Sequence, residues 1–326
     1  MTDADLPGLP DLLDLPDLAA IRRAAGRIRG DVRRTSLMTS AQLSDRTGAD
    51  VRLKLEIEQP TGSFKVRGAA NAIRAATERR PVPGLTTAST GNHARAVSYV
   101  GARLGLPVTA FLAAGVPADR VRALEQLGAT VDRSTADQTA AIDAAATLAA
   151  ERGYEFVPPF DHPDVIGGQG TIGLELCEDL PDLDVVLVPV SGGGLIAGIG
   201  LAVTAIAPRV RVVGVCAERA DAMRRSLAAG HPVPVPEVDT VATSLLGDLG
   251  PDNRYTFRAA QTVIDDLVTV DDDQLRAAMG RLHAEDGLVV EGAAAATAAA
   301  LWAAGDRWRG RQVAALVTGN AVAQRP

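Results

Sequence analysis

Residues 59–71 read QPTGSFKVRGAAN, and the lysine inside this stretch decides how the rest of the chain is read. Of the 33 basic residues only Lys54 and Lys65 are lysines, and all the others are arginines. Arginine replaces lysine as a solvated charge, but it neither gives up its proton at working pH nor forms an imine. A lysine kept at position 65 therefore points to chemistry of the amine.

Just before it, residues 51–58 alternate Val, Leu, Leu, Ile with Arg, Lys, Glu, Glu, the period of a half-buried strand. Lys54 falls on the polar face of that strand, as a solvated or ion-paired residue. Pro60, Thr61 and Gly62 break the strand, and Ser63 is placed to cap a helix running from Phe64 to about residue 77. Lys65 then sits in the first helical turn, where the helix dipole and partial burial favour the neutral amine that imine formation needs. A lysine in such a turn is ordinarily a surface residue. The scarcity of lysine and the T-G-S-F setting favour the functional reading here.

A chain of 326 residues forms one large or two medium domains with a substantial core. Aromatic residues are only 3%, while alanine and glycine abound, so close helix packing should dominate. With a net charge of -7 and no basic run, neither nucleic acid nor an anionic membrane is an attractive partner. Cys177 and Cys216 lack any CxxC spacing and read as free thiols in a reducing compartment. The N-terminal residues, MTDADLPGLPDLLDLPDL, lack the basic start and apolar core of a secretory signal and read as extended or partly disordered. The near-apolar residues 292–305 are too few to span a bilayer and read as a buried helix. A soluble, cytoplasmic protein is expected.

Asp17 can cap a helix to about Arg29, and Ser40 a shorter one ending at Gly48. From there strand-like runs at residues 51–58, 85–89, 107–112, 130–134, 154–157, 185–190, 210–215 and 313–318 alternate with helical ones at 92–104, 118–127, 136–150, 195–207 and 272–285. This order predicts an α/β protein with mainly parallel sheets. Residues 157–163, with three prolines, mark a crossing between domains.

Two more glycine-bearing turns fall where strands hand over to helices. The apolar run 185–190 empties into Ser191, Gly192, Gly193 and Gly194 and then an apolar helix, so that backbone amides can converge on a phosphate. Taken alone, such a turn is more often helix–sheet packing, and it matches neither GxGxxG nor GxxxxGKS. The other turn is Ser89, Thr90, Gly91, Asn92, His93, whose hydroxyls and free amides suit a carboxylate. By itself such a cap is more often structural than catalytic.

Taken together and in order, TGSFKVRG, ASTGNHA and VPVSGGGLIAG make the chain resemble the fold type II pyridoxal phosphate enzymes, the family of threonine dehydratase and serine racemase. The likeness spans about residues 33–320. The segments SLLGDLGPDNRYTF and LVVEGAAAA look most like the members acting in hydroxyectoine utilisation. The resemblance implies two parallel-sheet α/β domains with the cofactor, pyridoxal 5'-phosphate, between them: residues 1–75 with 160–326 as the large cofactor-binding domain, and 76–159 as the small substrate-binding domain. It implies a homodimer. It makes Lys65 the residue joined to the cofactor, with Phe64 packing near the ring, and gives the phosphate to the amides of Gly192, Gly193, Gly194 and Leu195. Asn92 would meet the phenolic oxygen, and Thr318 the pyridine nitrogen. Ser89, Thr90, Gly91, Asn92 and His93 would line the substrate carboxylate site, His93 chiefly through its backbone. The family carries an acid near the cofactor where Glu291 stands, although a glutamate there is also ordinary dipole complementation.

Three departures matter. Where serine-racemase-like members hold a divalent cation with carboxylates, this chain has Cys216, Ala220 and Ala222, so no such metal site is expected. The opposite-face base of racemases is a serine, and here it is Thr90. The chain ends soon after Thr318, without room for the regulatory domain of long threonine dehydratases. The implied activity is dehydration of a β-hydroxy amino acid to a keto acid and ammonia, with Lys65 as general base. The competing readings are a racemase using Thr90, a β-replacement enzyme, a non-catalytic amino-acid-binding protein, and a nicotinamide-dependent dehydrogenase built on the SGGG turn.

Overall fold

The computed structural model describes residues 15–89 and 91–320. Thr90 and the first 14 residues, to which the expectation of an extended arm applied, lie outside the described residues.

The helices are α1 (Leu18–Ile28), α2 (Ala41–Thr47), α3 (Lys65–Arg79), α4 (Asn92–Leu104), α5 (Ala118–Glu125), α6 (Gln138–Arg152), α7 (Pro163–Asp179), α8 (Gly194–Ile206), α9 (Ala222–Ala229), α10 (Thr256–Val263), α11 (Asp272–Asp286) and α12 (Ala296–Ala303). The strands are β1 (Leu37–Thr39), β2 (Asp50–Leu55), β3 (Leu85–Thr87), β4 (Val108–Ala113), β5 (Thr130–Thr135), β6 (Glu155–Phe156), β7 (Val185–Pro189), β8 (Arg211–Ala217), β9 (Asp266–Val270) and β10 (Gln312–Val317). They form a six-stranded sheet in the order β1-β2-β10-β7-β8-β9 and a four-stranded sheet in the order β5-β4-β3-β6. Among the described residues only β1 runs antiparallel to its neighbour in a sheet. This is the α/β, parallel-sheet architecture that the alternation of elements predicts.

Because the strands are parallel, their carboxyl ends collect on one side of each sheet, where ligands of open α/β folds bind. Each motif read from the sequence hangs from such an end. Residues 59–64 follow β2, Ala88 and Ser89 follow β3, the SGGG turn follows β7 and Thr318 follows β10.

Small residues let the central helices approach closely. A Cβ on Gly168 of α7 would stand 2.4 Å from the Arg67 carbonyl oxygen of α3, and one on Gly198 of α8 would stand 2.3 Å from that of Ile166. The glycine content thus serves backbone-to-backbone packing of α3, α7 and α8 beneath the site. Asp17 and Ser40 cap α1 and α2, as their positions predict.

Other expectations need correction. Ser63 does not cap α3: the cap position is Phe64, without a side-chain bond, and Ser63 Oγ is buried with no partner. The strand at 51–58 stops at Leu55, and Glu56–Glu58 coil into a single turn of 3-10 helix. Of the two readings of Lys54, the ion pair holds and solvation does not. The residue is fully buried, with Nζ 2.7 Å from Glu175 and donating to the Thr35 carbonyl at 2.8 Å. Strand alternation misplaced it because α7 covers the face read as polar.

Candidate active site

Lys65 is the first residue of α3. Its Nζ donates to the Pro159 carbonyl at 2.9 Å and lies 5.3 Å from the centre of the Phe64 ring. Burial pushes the amine down from 10.5 to about 8, against the opposing pull of the Glu291 carboxylate. The direction is the one the sequence predicts, with burial as its first cause.

Two residues further along α3, Arg67 anchors the turn that presents Lys65. Its guanidinium grips both oxygens of Glu56 at 2.8 Å and spans Glu175 at 2.6 and 3.0 Å. Gln59 Nε2 adds a 3.1 Å bond to Glu56. The QPTGSFKVR turn is therefore held by a buried ionic network and not by a helix cap.

Opposite stands α4. Asn92, its first residue, donates from Nδ2 to Glu291 Oε1 at 3.0 Å. Burial raises the Glu291 pKa against the pull of Asn92, Ser244, Arg95 and Lys65. Glu291 is the cap position of a 3-10 turn, Gly292–Ala295, and its own N–H donates to the Gly319 carbonyl at 3.2 Å. Its side chain faces Asn92, so dipole complementation is not its main contact.

His93 is buried, and its Nε2 donates to the Val157 carbonyl at 2.8 Å. Burial, with Lys65 nearby, pushes its pKa down to about 3, so the ring is neutral and Nδ1 is left as an unpartnered acceptor. Ser89 is half-buried and its Oγ accepts from the Gly91 N–H at 3.4 Å.

The glycine turn closes the site from β7. Gly193 has φ +88, a conformation that favours glycine, and the first intrahelical bond of α8 comes only at the Ala197 N–H. The amides of Gly194 and Leu195 precede it, at the positive end of a helix with no acid in its first turn. Gly192 packs under Phe160, where a Cβ would meet the ring at 2.5 Å. From β10, the Thr318 carbonyl accepts from the Phe64 N–H at 3.1 Å, and Asn320 N–H donates to the Gly62 carbonyl at 3.0 Å.

The structure thus brings Lys65, Phe64, Asn92, His93, Glu291 and Thr318 to one place. It says nothing of Thr90, which lies outside the described residues. Sequence reasoning missed Arg95, Ser244 and Asn320. Ser244 lies inside the quoted segment SLLGDLG and Asn320 two residues past Thr318, whereas an arginine inside a helix carries no signal of its own.

With this geometry in view, comparisons with known proteins become specific. Residues 28–319 match the family model described as pyridoxal-phosphate dependent enzyme. The chain is 37% identical over 307 residues to an L-threonine ammonia-lyase of Thermotoga maritima, covering 93% of this chain and 75% of that one. It is 38% identical over 291 residues to a phenylserine dehydratase of Ralstonia pickettii, covering 89% and 88%. The structure of maize serine racemase superposes with a TM-score of 0.88 at 32% identity, covering 94% of each chain. The chain belongs to the pyridoxal-phosphate dependent enzymes of fold type II, and its cofactor is pyridoxal phosphate.

The residues present fit that cofactor. Ser63 Oγ, His93 Nδ1 and Asn320 Oδ1 are buried without a partner around Lys65. Leaving a buried polar atom unmade costs about 1–3 kcal/mol, so the cleft is built for a polar occupant. An amine displaced toward neutrality, a helix N-terminus and a hydroxyl ending β10 match an aldehyde, a phosphate and a pyridine nitrogen in turn.

Proposed function

We propose that the protein is a dehydratase that converts a β-hydroxy amino acid to a keto acid and ammonia. The observation that carries this reading is the Lys65 amine, held at the head of α3 with its pKa lowered to about 8. Bound pyridoxal phosphate supplies an electron sink for the α-carbon. Lys65 takes the α-proton at Nζ as general base, and the turn at 89–93 holds the substrate carboxylate. Loss of that proton together with the β-hydroxyl, as water, leaves an enamine that hydrolyses to the keto acid and ammonia. The roles assigned above to Phe64, Asn92, the amides of residues 192–195, Glu291 and Thr318 belong to the same reading. The names of the T. maritima and R. pickettii relatives support it.

Serine and threonine are the simplest substrates. A hydroxylated diamino acid from hydroxyectoine breakdown is the second, favoured by the resemblance of the segments SLLGDLGPDNRYTF and LVVEGAAAA to those enzymes. A racemase is the competing activity, supported by the likeness to serine racemase. The reading extends to a cytoplasmic homodimer, which size-exclusion chromatography with light scattering tests.

The purified protein is mixed with L-serine, L-threonine and a hydroxylated diaminobutyrate, and keto acid, ammonia and the opposite enantiomer are assayed. Keto acid release that falls by at least about a hundredfold in Lys65→Ala supports the proposal. Enantiomer formation without keto acid replaces it by the racemase, and a protein that turns over none of these and gains no visible absorbance with pyridoxal phosphate ends it.

A further inference from the structure

Arg95 lies one turn into α4, three residues after Asn92. It is half-buried, and its Nη2 reaches to 3.7 Å from the point where a side chain on Gly62 would begin, the point that Asn320 Oδ1 approaches to 2.5 Å. The guanidinium therefore lies against the loop that presents Lys65. Among the described residues it has no hydrogen bond and no carboxylate within ion-pair distance. The contrast with other arginines in the chain is sharp. Arg67, fully buried, is bound by two carboxylates, and Arg74 and Arg103 share Asp31. Arg95 feels Glu291 only at longer range, and burial lowers its pKa with that carboxylate opposing. Glu291 itself is engaged by Asn92 and Ser244.

A partly desolvated guanidinium without an anion is an expensive arrangement, and one that a carboxylate ligand relieves through two parallel N–H···O bonds. We propose that Arg95 is a specificity-determining residue that binds a carboxylate of the amino acid substrate. The proposal rests on the dehydratase reading for the identity of the ligand. Where the distal carboxylate is the one bound, the pocket favours an acidic side chain over one ending in an ammonium group, which ranks the hydroxylated diamino acid below serine and threonine.

The carboxylate comes either from the α-carbon or from the far end of the side chain, and kinetics separate the two. KM and kcat of the holoenzyme are measured for L-threonine and L-threo-3-hydroxyaspartate in wild type, Arg95→Gln and Arg95→Lys. Arg95→Gln raises KM at least tenfold with less than a threefold fall in kcat, the signature of lost ground-state binding. The rise covers both substrates if the α-carboxylate is held, and hydroxyaspartate alone if the distal one is. Arg95→Lys, which keeps the charge and loses the fork, falls between.

A second readout needs no turnover. Calorimetric titration of the holoenzyme with malonate gives an affinity at least tenfold weaker in Arg95→Gln, at unchanged thermal midpoint. If malonate binding depends on Arg95 while no β-hydroxy amino acid yields keto acid, the dehydratase reading falls and the assignment of Arg95 stands. Malonate affinity and both KM values unchanged in Arg95→Gln, or a collapse of kcat at constant KM, overturn the assignment.

Discussion

Asn92 and Glu291 lie 199 residues apart, and a 3.0 Å bond from Asn92 Nδ2 to Glu291 Oε1 joins the helix that follows β3 to the turn beside the end of β10. The bond therefore ties together parts hung from the two different sheets. It also fixes, within reach of Lys65, a buried carboxylate whose charge raises the pKa of the amine.

That coupling has a definite sign. Glu291→Gln keeps an acceptor for Asn92 but removes the negative charge, so the Lys65 ammonium loses its stabilising neighbour and its pKa falls below about 8. In the cofactor-free protein, the rate at which Lys65 reacts with pyridoxal phosphate rises with pH as the amine is deprotonated. Its midpoint in wild type lies near about 8, and in Glu291→Gln it moves to lower pH. Glu291→Ala also leaves the Asn92 amide unpaired, at a further cost of about 1–3 kcal/mol that appears as a lower unfolding midpoint. A midpoint that stays in place in Glu291→Gln shows that the carboxylate does not tune the amine.

Lys65, the glycine turn and the α/β order were legible because each is local. One depends on residue scarcity, one on a backbone conformation and one on the periodicity of apolar residues. What was not legible depends on distant chain. Lys54 and Glu58 share the alternation of an ordinary surface strand, yet only the approach of α7 buries Lys54 against Glu175. Ser63 has the residue type and position of a helix cap, but the loop is held by Arg67 instead, and the hydroxyl is left for the cleft. Strand β9 escaped because, at the sheet edge, all its residues but Val270 are only partly buried or exposed, and α7 because four glycines interrupt its apolar pattern.

The ionic network that holds the Lys65 turn makes stability depend on pH. Burial pulls the Glu175 pKa up, but Arg67 and Lys54 outweigh it and hold the carboxyl below 4.5. A depressed carboxylate pKa contributes stability that is present above the unfolded value and is lost as pH falls through the folded one. The unfolding free energy of wild type therefore drops as the pH is taken below about 4.5. Arg67→Met leaves Glu56 buried and short of its principal counter-charge, a loss of about 3–5 kcal/mol at neutral pH. Urea titrations from pH 7 to pH 3 check both statements, since the variant lacks much of the acid-dependent fall that Glu175 gives wild type. An equal slope in the two proteins places the acid sensitivity elsewhere.

Gly193 separates packing from backbone geometry in the phosphate turn. Its φ of +88 suits glycine, and a Cβ there would also stand 2.5 Å from Met223 Cε and 3.1 Å from Thr256 Cβ. Gly193→Ala thus meets two costs, a strained backbone of about 1–3 kcal/mol and a collision with a flexible side-chain end. Met223→Ala relieves the collision but also removes a fully buried core side chain, at a cost of about 2–5 kcal/mol of its own. The double variant therefore stays destabilised, and it does not regain the turn that aims the amides of Gly194 and Leu195. Pyridoxal phosphate stabilises the folded state in proportion to the logarithm of its concentration over its dissociation constant. The difference in melting temperature with and without cofactor consequently reports the turn, while the cofactor-free value reports packing and strain together. In Gly193→Ala both fall. Adding Met223→Ala leaves the cofactor-free value low and the difference small, whereas recovery of the full difference shows that the methionine contact, and not φ, governs how the turn meets the phosphate.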